Sequence, residues 1–249
     1  MLFNYKTIIF IVFFKFLIIN FAYSSNLQSD FDIWLSSYKK LALKEGVSQK
    51  TINTAFKNVK FLERVLKYDR KQPEFFEDTI TYVNKRATTS RVNNAQKLLK
   101  KNKALFNQVE EKFLVEKEIL LALWGIETNY GKHVGKMNII SSLATLSFDK
   151  RRSKFFSSQL LTLLFLIDKK VIDPNTLYGS WAGAYGNFQF MPSTIKRYAL
   201  DYDDNGKIEL KSSLEDSLAS AANYINKMGW KTEEPCFFRV KVNNEIEKK

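Results

Sequence analysis

The chain has 249 residues, 45% of them hydrophobic and 14% aromatic, enough apolar material for one packed domain of ordinary size, so disorder is not the default. Its 39 basic residues outnumber 26 acidic ones, a net charge of +13 that draws the surface to polyanions. A single histidine, His133, and a single cysteine, Cys236, exclude multi-histidine metal chemistry and any internal disulfide.

Residues 1–24 read as a signal peptide: Lys6, then the apolar run Thr7–Phe21, then the small-residue exit Ala22-Tyr23-Ser24. Lys15 interrupts the run, whereas a spanning helix wants about 20 uninterrupted apolar residues, so export with cleavage near Ser24 is favoured over an uncleaved membrane anchor. Cys236 lies far from this start, which leaves no thiol there for a lipid. The expected location is the periplasm. There the polyanions are lipid headgroups and cell-wall peptides rather than nucleic acid, for which the chain carries no recognition motif.

Eight of the nine glycines fall between Gly125 and Gly229, so the stretch from Asn26 to Thr128 reads as mostly helical. Phe31, Trp34, Leu35 and Tyr38 recur at helical spacing, as do Val92, Ala95, Leu98 and Leu99. Phe155–Ile167 is apolar almost all round, the mark of a helix buried mid-domain. Ser213–Met228 is amphipathic, with Leu218, Ala221, Ala222, Ile225 and Met228 on one face. Ser213 and Asp216 stand at capping-box spacing and Gly229 just past the end. Near the end, Phe238, Val240 and Val242 alternate with polar residues as in a half-buried strand. A strand without a partner is unstable by itself, so residues 231–249 read as the truncated start of a C-terminal segment.

Two segments carry chemistry. On a helix, Glu127 shares a face with Leu120, Leu123 and Trp124, which lie seven, four and three residues before it. Desolvation there favours the protonated carboxyl, which suits a general acid. A glutamate bonded to backbone at a helix end is the plainer reading of that stripe alone. The second segment, Gly179–Ser193, spaces glycines at 179, 183 and 186 among aromatics such as Tyr185 and among Ser180, Asn187 and Gln189. Glycine lets a sugar ring approach the backbone, aromatics cover sugar faces, and the polar groups bond hydroxyl and acetamido groups. Met191-Pro192 then starts the next helix.

Three runs in order closely resemble the membrane-bound lytic murein transglycosylase B family: Trp124-Gly-Ile-Glu-Thr-Asn-Tyr-Gly131, Leu143-Ala-Thr-Leu-Ser-Phe-Asp-Lys-Arg-Arg-Ser-Lys-Phe-Phe156 and Gly179-Ser-Trp-Ala-Gly-Ala-Tyr-Gly-Asn-Phe-Gln-Phe-Met-Pro-Ser193. Tyr68-Asp-Arg-Lys-Gln-Pro-Glu-Phe75 looks like the family's N-terminal motif. The resemblance runs from about residue 30 to Trp230. It implies a mainly α fold, a lysozyme-like helical domain over residues 25–230 with a helical N-terminal region. Glu127 matches the single catalytic acid/base, and Ser180 and Gln189 match polar residues that contact sugar. Arg151 and Arg152 match a basic pair facing the glycan or its peptide, and Tyr82 matches a groove tyrosine. On residues alone the arginine pair is a solvated loop charge.

One carboxylate in the motif, where a hydrolytic glycosidase usually flanks its bond with two, points to the family's non-hydrolytic cleavage. Glu127 would protonate the oxygen between N-acetylmuramic acid and N-acetylglucosamine and then deprotonate the muramyl C6 hydroxyl, closing a 1,6-anhydro ring. No cofactor is required for that chemistry. The expected partner is the peptidoglycan glycan strand, bound by a monomer. The alternative is a catalytically impaired, truncated homologue that grips glycan strands or a cell-wall synthesis enzyme; a hydrolytic lysozyme is the nearest enzymatic rival. The family continues beyond the position of Trp230, where this chain lacks a further groove motif.

Asp201-Tyr-Asp-Asp-Asn-Gly206 has the acid, acid, amide and glycine order of an opening EF-hand loop, with Asp201, Asp203 and Asn205 as donors. Ser212 stands where the closing glutamate belongs. The resemblance implies a longer loop closed by Asp216, with Glu215 its neighbour, and Lys207 lending its carbonyl to a structural calcium. The plainer role of Asp216 is helix capping.

Overall fold

A computed structural model of the protein describes residues 27–71 and 77–235. The signal-like start, Lys-Gln-Pro-Glu-Phe within the 68–75 motif in all but its first lysine, Cys236 and the alternating stretch Phe238–Val242 lie outside them. The described chain is mainly α, as expected. Helices follow one another as α1 (residues 27–44), α2 (Gln49–Ala55), α3 (Glu63–Arg70), α4 (Thr79–Arg86), α5 (Thr89–Lys101), α6 (Lys103–Phe113) and α7 (Lys117–Thr128). After Gly125 the chain alternates as foreseen: strand β1 (Met137–Asn138), α8 (Ile139–Phe148), α9 (Ser153–Asp168), strand β2 (Tyr178–Gly179), α10 (Pro192–Tyr198) and α11 (Leu214–Lys227).

The centre is α8, whose residues from Ile139 to Ser147 are all buried, packed on α9 and α3. Of its buried hydroxyls, Ser142 Oγ finds no partner among the described residues, whereas Ser141 and Thr145 are bonded. Ser141 Oγ accepts from Lys60 N at 3.2 Å and Thr145 Oγ1 from Leu62 N at 3.0 Å, which straps the segment before α3 across the helix. A buried polar group keeps its cost low only when bonded in this way. The helix α1 docks through the predicted aromatic stripe: Phe31 meets Trp34, Phe61 and Phe148, and the Tyr38 hydroxyl donates to Ser157 O at 2.7 Å. Burying each such ring contributes about 1.5–3 kcal/mol.

Two apolar patterns are less buried than their spacing predicts. In α9, Phe156, Leu160, Leu163, Leu164 and Ile167 are buried, but Phe155 is 47% exposed. In α5 the row Val92, Ala95, Leu98 and Leu99 packs only partly, and Val92 is half exposed, because Val92, Ala95 and Leu99 line a cavity left between this helix and its neighbours α4 and α7. On α11, Ser213 Oγ accepts from Asp216 N at 3.1 Å and Gly229 follows with φ +97°, as the caps required; Met228, expected on the apolar face, is exposed.

The strands β1 and β2 pair antiparallel, Met137 opposite Gly179 and Asn138 opposite Tyr178. The pair ties the stretch after α7 to the start of the glycine-rich segment, with α8 and α9 lying between the two strands in the chain. It fixes where that segment starts.

Candidate active site

Helix α7 ends at Thr128, so Glu127 stands in its last turn, where the aligned backbone dipoles disfavour a negative charge. Leu120 and Trp124, on its face, are buried, and Leu123 packs on the core. Glu127 itself is exposed at the surface, yet loss of hydration around its carboxyl holds it above the usual carboxylate range. Water reaches the side chain, while the protein atoms around its carboxyl displace part of its solvent. Among the described residues no hydrogen bond or ion pair is found on this carboxyl, and nothing opposes the upward shift. The plainer reading, a glutamate bonded to nearby backbone, is not what is found.

The chain leaves α7 through three consecutive left-handed residues, Asn129, Tyr130 and Gly131, with φ of +50°, +59° and +79°. Thr128, 1% exposed, fixes this turn: its Oγ1 accepts from Gly131 N at 3.0 Å and donates to Asn187 O at 2.8 Å. Asn187 is buried, and its side chain is fully engaged. Oδ1 accepts from the Trp124 indole at 3.1 Å, while Nδ2 donates to Leu210 O, Lys211 O and Ser217 Oγ. The sugar-bonding role open to Asn187 from its composition therefore does not hold. It binds protein to protein.

Ser180 and Gln189 sit half-buried in the same segment. Ser180 Oγ accepts from Ala182 N at 3.2 Å and Ala184 N at 2.9 Å, which occupies both acceptor sites and leaves the hydroxyl proton for an outside acceptor. Gln189, at φ +50°, donates from Nε2 to Gly186 O at 2.9 Å and Val134 O at 3.3 Å; this orients Oε1 as an acceptor. Tyr185 is placed differently from the expectation. It is 6% exposed, it forms a backbone bridge with Phe190, and its hydroxyl lies 3.3 Å from Thr176 Oγ1. It lines a cleft of about 790 Å³ with Pro174, Tyr178 and Glu209, and burial pushes its phenol above the usual range. An aromatic packed this way cannot lay its face on a sugar.

Arg151 and Arg152, between α8 and α9, converge on Asp69 of α3. Arg151 donates to its Oδ2 and to its carbonyl, both at 2.9 Å, and Arg152 to Oδ1. Asp69 is 3% exposed, so this is a clamp and not a free surface charge. Two guanidiniums on one carboxylate leave positive charge over, and both arginines also line an open cleft with Lys150 and Lys154. Asp69 was invisible as a site residue because its partners lie more than 80 positions on. Tyr82, on α4, lies under Arg86, 3.4 Å from guanidinium carbon to ring centre. With Val92, Leu121, Ile126 and Tyr130 it lines an apolar cavity of about 410 Å³ between α4, α5 and α7.

The acidic loop gathers Asp201, Asp203 and Asp216, whose carboxylate oxygens lie within 4.8 Å of one another. Asp216 is fully buried and, first through burial, raised above the usual range against the pull of Glu209 N and Tyr202 N. Those two bonds draw its side chain back into the loop, so the reciprocal half of a capping box is replaced by a loop-closing role. Asn205 Oδ1 accepts from Lys207 N at 2.9 Å, and its Nδ2 donates to Glu209 Oε2 at 3.3 Å. Glu209, not singled out from the sequence, occupies position nine of an EF-hand count, which is the signal that could have found it.

A family model described as the transglycosylase SLT domain matches residues 30–249. Membrane-bound lytic murein transglycosylase B of Escherichia coli (strain K12) is 38% identical over 152 residues, 61% of this chain and 42% of that protein. Among solved structures, SltB3 from Pseudomonas aeruginosa, in complex with NAG-NAM-pentapeptide, superposes with a TM-score of 0.81 at 36% identity over 86% of this chain and 57% of its own. Escherichia coli Slt35, in complex with calcium, gives 0.71 at 32% identity over 81% and 64%. The chain thus spans about half the length of these relatives.

Proposed function

Because this chain belongs to the transglycosylase SLT domain family and has its lysozyme-like helical fold, we propose that it cleaves peptidoglycan glycan strands without water. Glu127 serves as both acid and base. The observation that carries the reading is its carboxyl: partly desolvated, in the last turn of α7, with no ion pair to hold it ionised. It protonates the oxygen linking N-acetylmuramic acid to N-acetylglucosamine, and that bond breaks. The muramyl acetamido group supports the cation. Glu127, now ionised, takes the C6 hydroxyl proton as that oxygen closes on C1. Ser180, with its proton uncommitted, and Gln189, with Oε1 turned outward as acceptor, suit the sugar's polar groups.

The reading is supported by relatives that carry the name lytic transglycosylase and by SltB3 holding a glycan-peptide fragment. The enzyme would work in the periplasm, where its substrate lies. No helix among the described residues is long and apolar enough to cross a membrane.

Mass analysis of fragments released from intact sacculi tests the chemistry. Anhydro ends are expected, and products heavier by one water would mean hydrolysis. Glycan binding with no release would favour the binding homologue. The pH profile follows from Glu127. The acid form is required, so turnover falls as pH rises through its raised pKa, and the limb lies above the range of an ordinary carboxylate. A limb at the ordinary value would contradict the desolvated site.

The acidic loop suits a hard cation: three converging carboxylates, one of them fully buried. Calcium would be held by Asp201, Asp203 and Asp216, with Asn205 and the Lys207 carbonyl nearby, and would supply charge neutralisation to the loop. It takes no part in the cleavage. Calcium at about 100 times its Kd should stabilise the fold by about 2.7 kcal/mol, a rise of roughly 5–10 °C in melting temperature. Asp216→Asn should lose most of that rise, and a melting curve indifferent to calcium would remove the claim.

A further inference from the structure

We infer that Asn187 is a positioning residue for Glu127, joining the last turn of α7 to the acidic loop and α11. The inference rests on the reading of Glu127 as the acid and base. Asn187 grips the residues on both sides of it: Trp124, three before, through the indole N–H, and Thr128, one after, through the threonine hydroxyl. On its other side it holds Leu210 O with its backbone N at 2.8 Å, and with Nδ2 it reaches Leu210 O, Lys211 O and Ser217 Oγ at 3.1–3.3 Å.

The amide's orientation is unambiguous. Indole N–H can only donate and backbone carbonyls can only accept, so Oδ1 must face Trp124 and Nδ2 the loop. No other side chain serves both ends. An aspartate would set a charge against two carbonyl oxygens, and a leucine would leave the indole and the carbonyls unpaired in a buried place. The loop end is itself braced by Asp216, which holds Tyr202 N and Glu209 N, and by Ser217 Oγ, which donates to Leu210 O. Order in the loop therefore reaches the turn that carries Glu127. A looser turn would admit water to the carboxyl and lower its pKa toward the ordinary value.

Replacing Asn187 itself strips several buried bonds at once and risks the fold, so the test uses two gentle variants. Trp124→Phe removes the indole N–H together with part of a buried ring, and Ser217→Ala removes one hydroxyl on α11, on the far side of Asn187 from α7. On a soluble glycan oligomer each is expected to lower kcat about three- to tenfold, leave KM within twofold, and move the falling limb of the kcat–pH profile to lower pH. The double variant should fall short of the product of the two. A loss confined to melting temperature, with the limb unmoved, would reduce Asn187 to a structural bond and overturn the proposal; so would a change in KM alone. Carbon-13 NMR titration of the Glu127 carboxyl reads the same coupling in a protein that cleaves nothing. A lowered pKa in both variants supports the positioning even if wild-type protein releases no anhydro product and the Glu127 chemistry fails. An unchanged one overturns the positioning whatever the activity.

Discussion

A Glu127→Gln protein is expected to bind glycan strands and to release anhydromuropeptides from sacculi at least about 10³-fold more slowly than the parent. The amide keeps the size and shape of the carboxyl but can neither hand a proton to the departing sugar oxygen nor collect one from the C6 hydroxyl. One residue serves both halves of the proposed reaction, so both halves fail together. The loss will not come from unfolding. A carboxyl whose folded pKa is raised above its unfolded value binds its proton more tightly in the fold, so stability falls as pH rises through the interval between the two values. At neutral pH the ionised group is a cost that the neutral amide lacks. The melting temperature of the variant should therefore equal or exceed that of the parent. Undiminished release, measured by mass spectrometry beside the melting curve, would mean that the acid has been assigned to the wrong residue.

What could be read in advance divides by range. Helix caps are local, so Ser213 and Gly229 could be placed from neighbouring residues, and Glu127 could be placed on its stripe because Leu120 and Trp124 lie within two turns. The roles of Asn187 and Asp69 could not. Asn187 bonds Trp124 from 63 positions away and Asp69 holds Arg151 from 82, and no periodicity announces such a meeting. Composition marked Asn187 as a sugar contact because an amide among glycines and aromatics suits either purpose; burial and the supply of protein partners decided it. Tyr185 failed for the same reason, its ring being spent on the cleft beside Thr176. The Asp216 case is subtler. Its spacing from Ser213 predicted a cap, and the backbone half of that cap is present, but the side chain answers Tyr202 and Glu209 instead. On α5 the apolar row was legible while its environment was not, since what faces a helix is a property of the fold and not of the helix.

Gly186→Ala is expected to be strongly damaging, for two reasons that add. At φ +79° an alanine pays the left-handed penalty of about 1–2 kcal/mol. Its Cβ would also stand 2.4 Å from the carbonyl oxygen of Leu210 and 2.8 Å from Leu210 Cβ. Neither neighbour is the loose end of a long side chain, so the backbone must move. The carbonyl pushed aside is the one that accepts from Asn187 N and Nδ2, bonds worth about 1 kcal/mol each. The total is about 3–4 kcal/mol, a fall of roughly 10 °C in melting temperature for a chain of this length. Gly46→Ala is the control. It has the same hand of backbone, φ +99°, but no atom within 4 Å of the added methyl, so only the first penalty applies. If the two variants melt alike, the close approach of Gly186 to Leu210 contributes nothing, and the brace between the acidic loop and α7 is looser than its hydrogen bonds indicate. If Gly186→Ala melts several degrees lower and loses turnover beyond what melting explains, the methyl has reached Glu127 through Asn187.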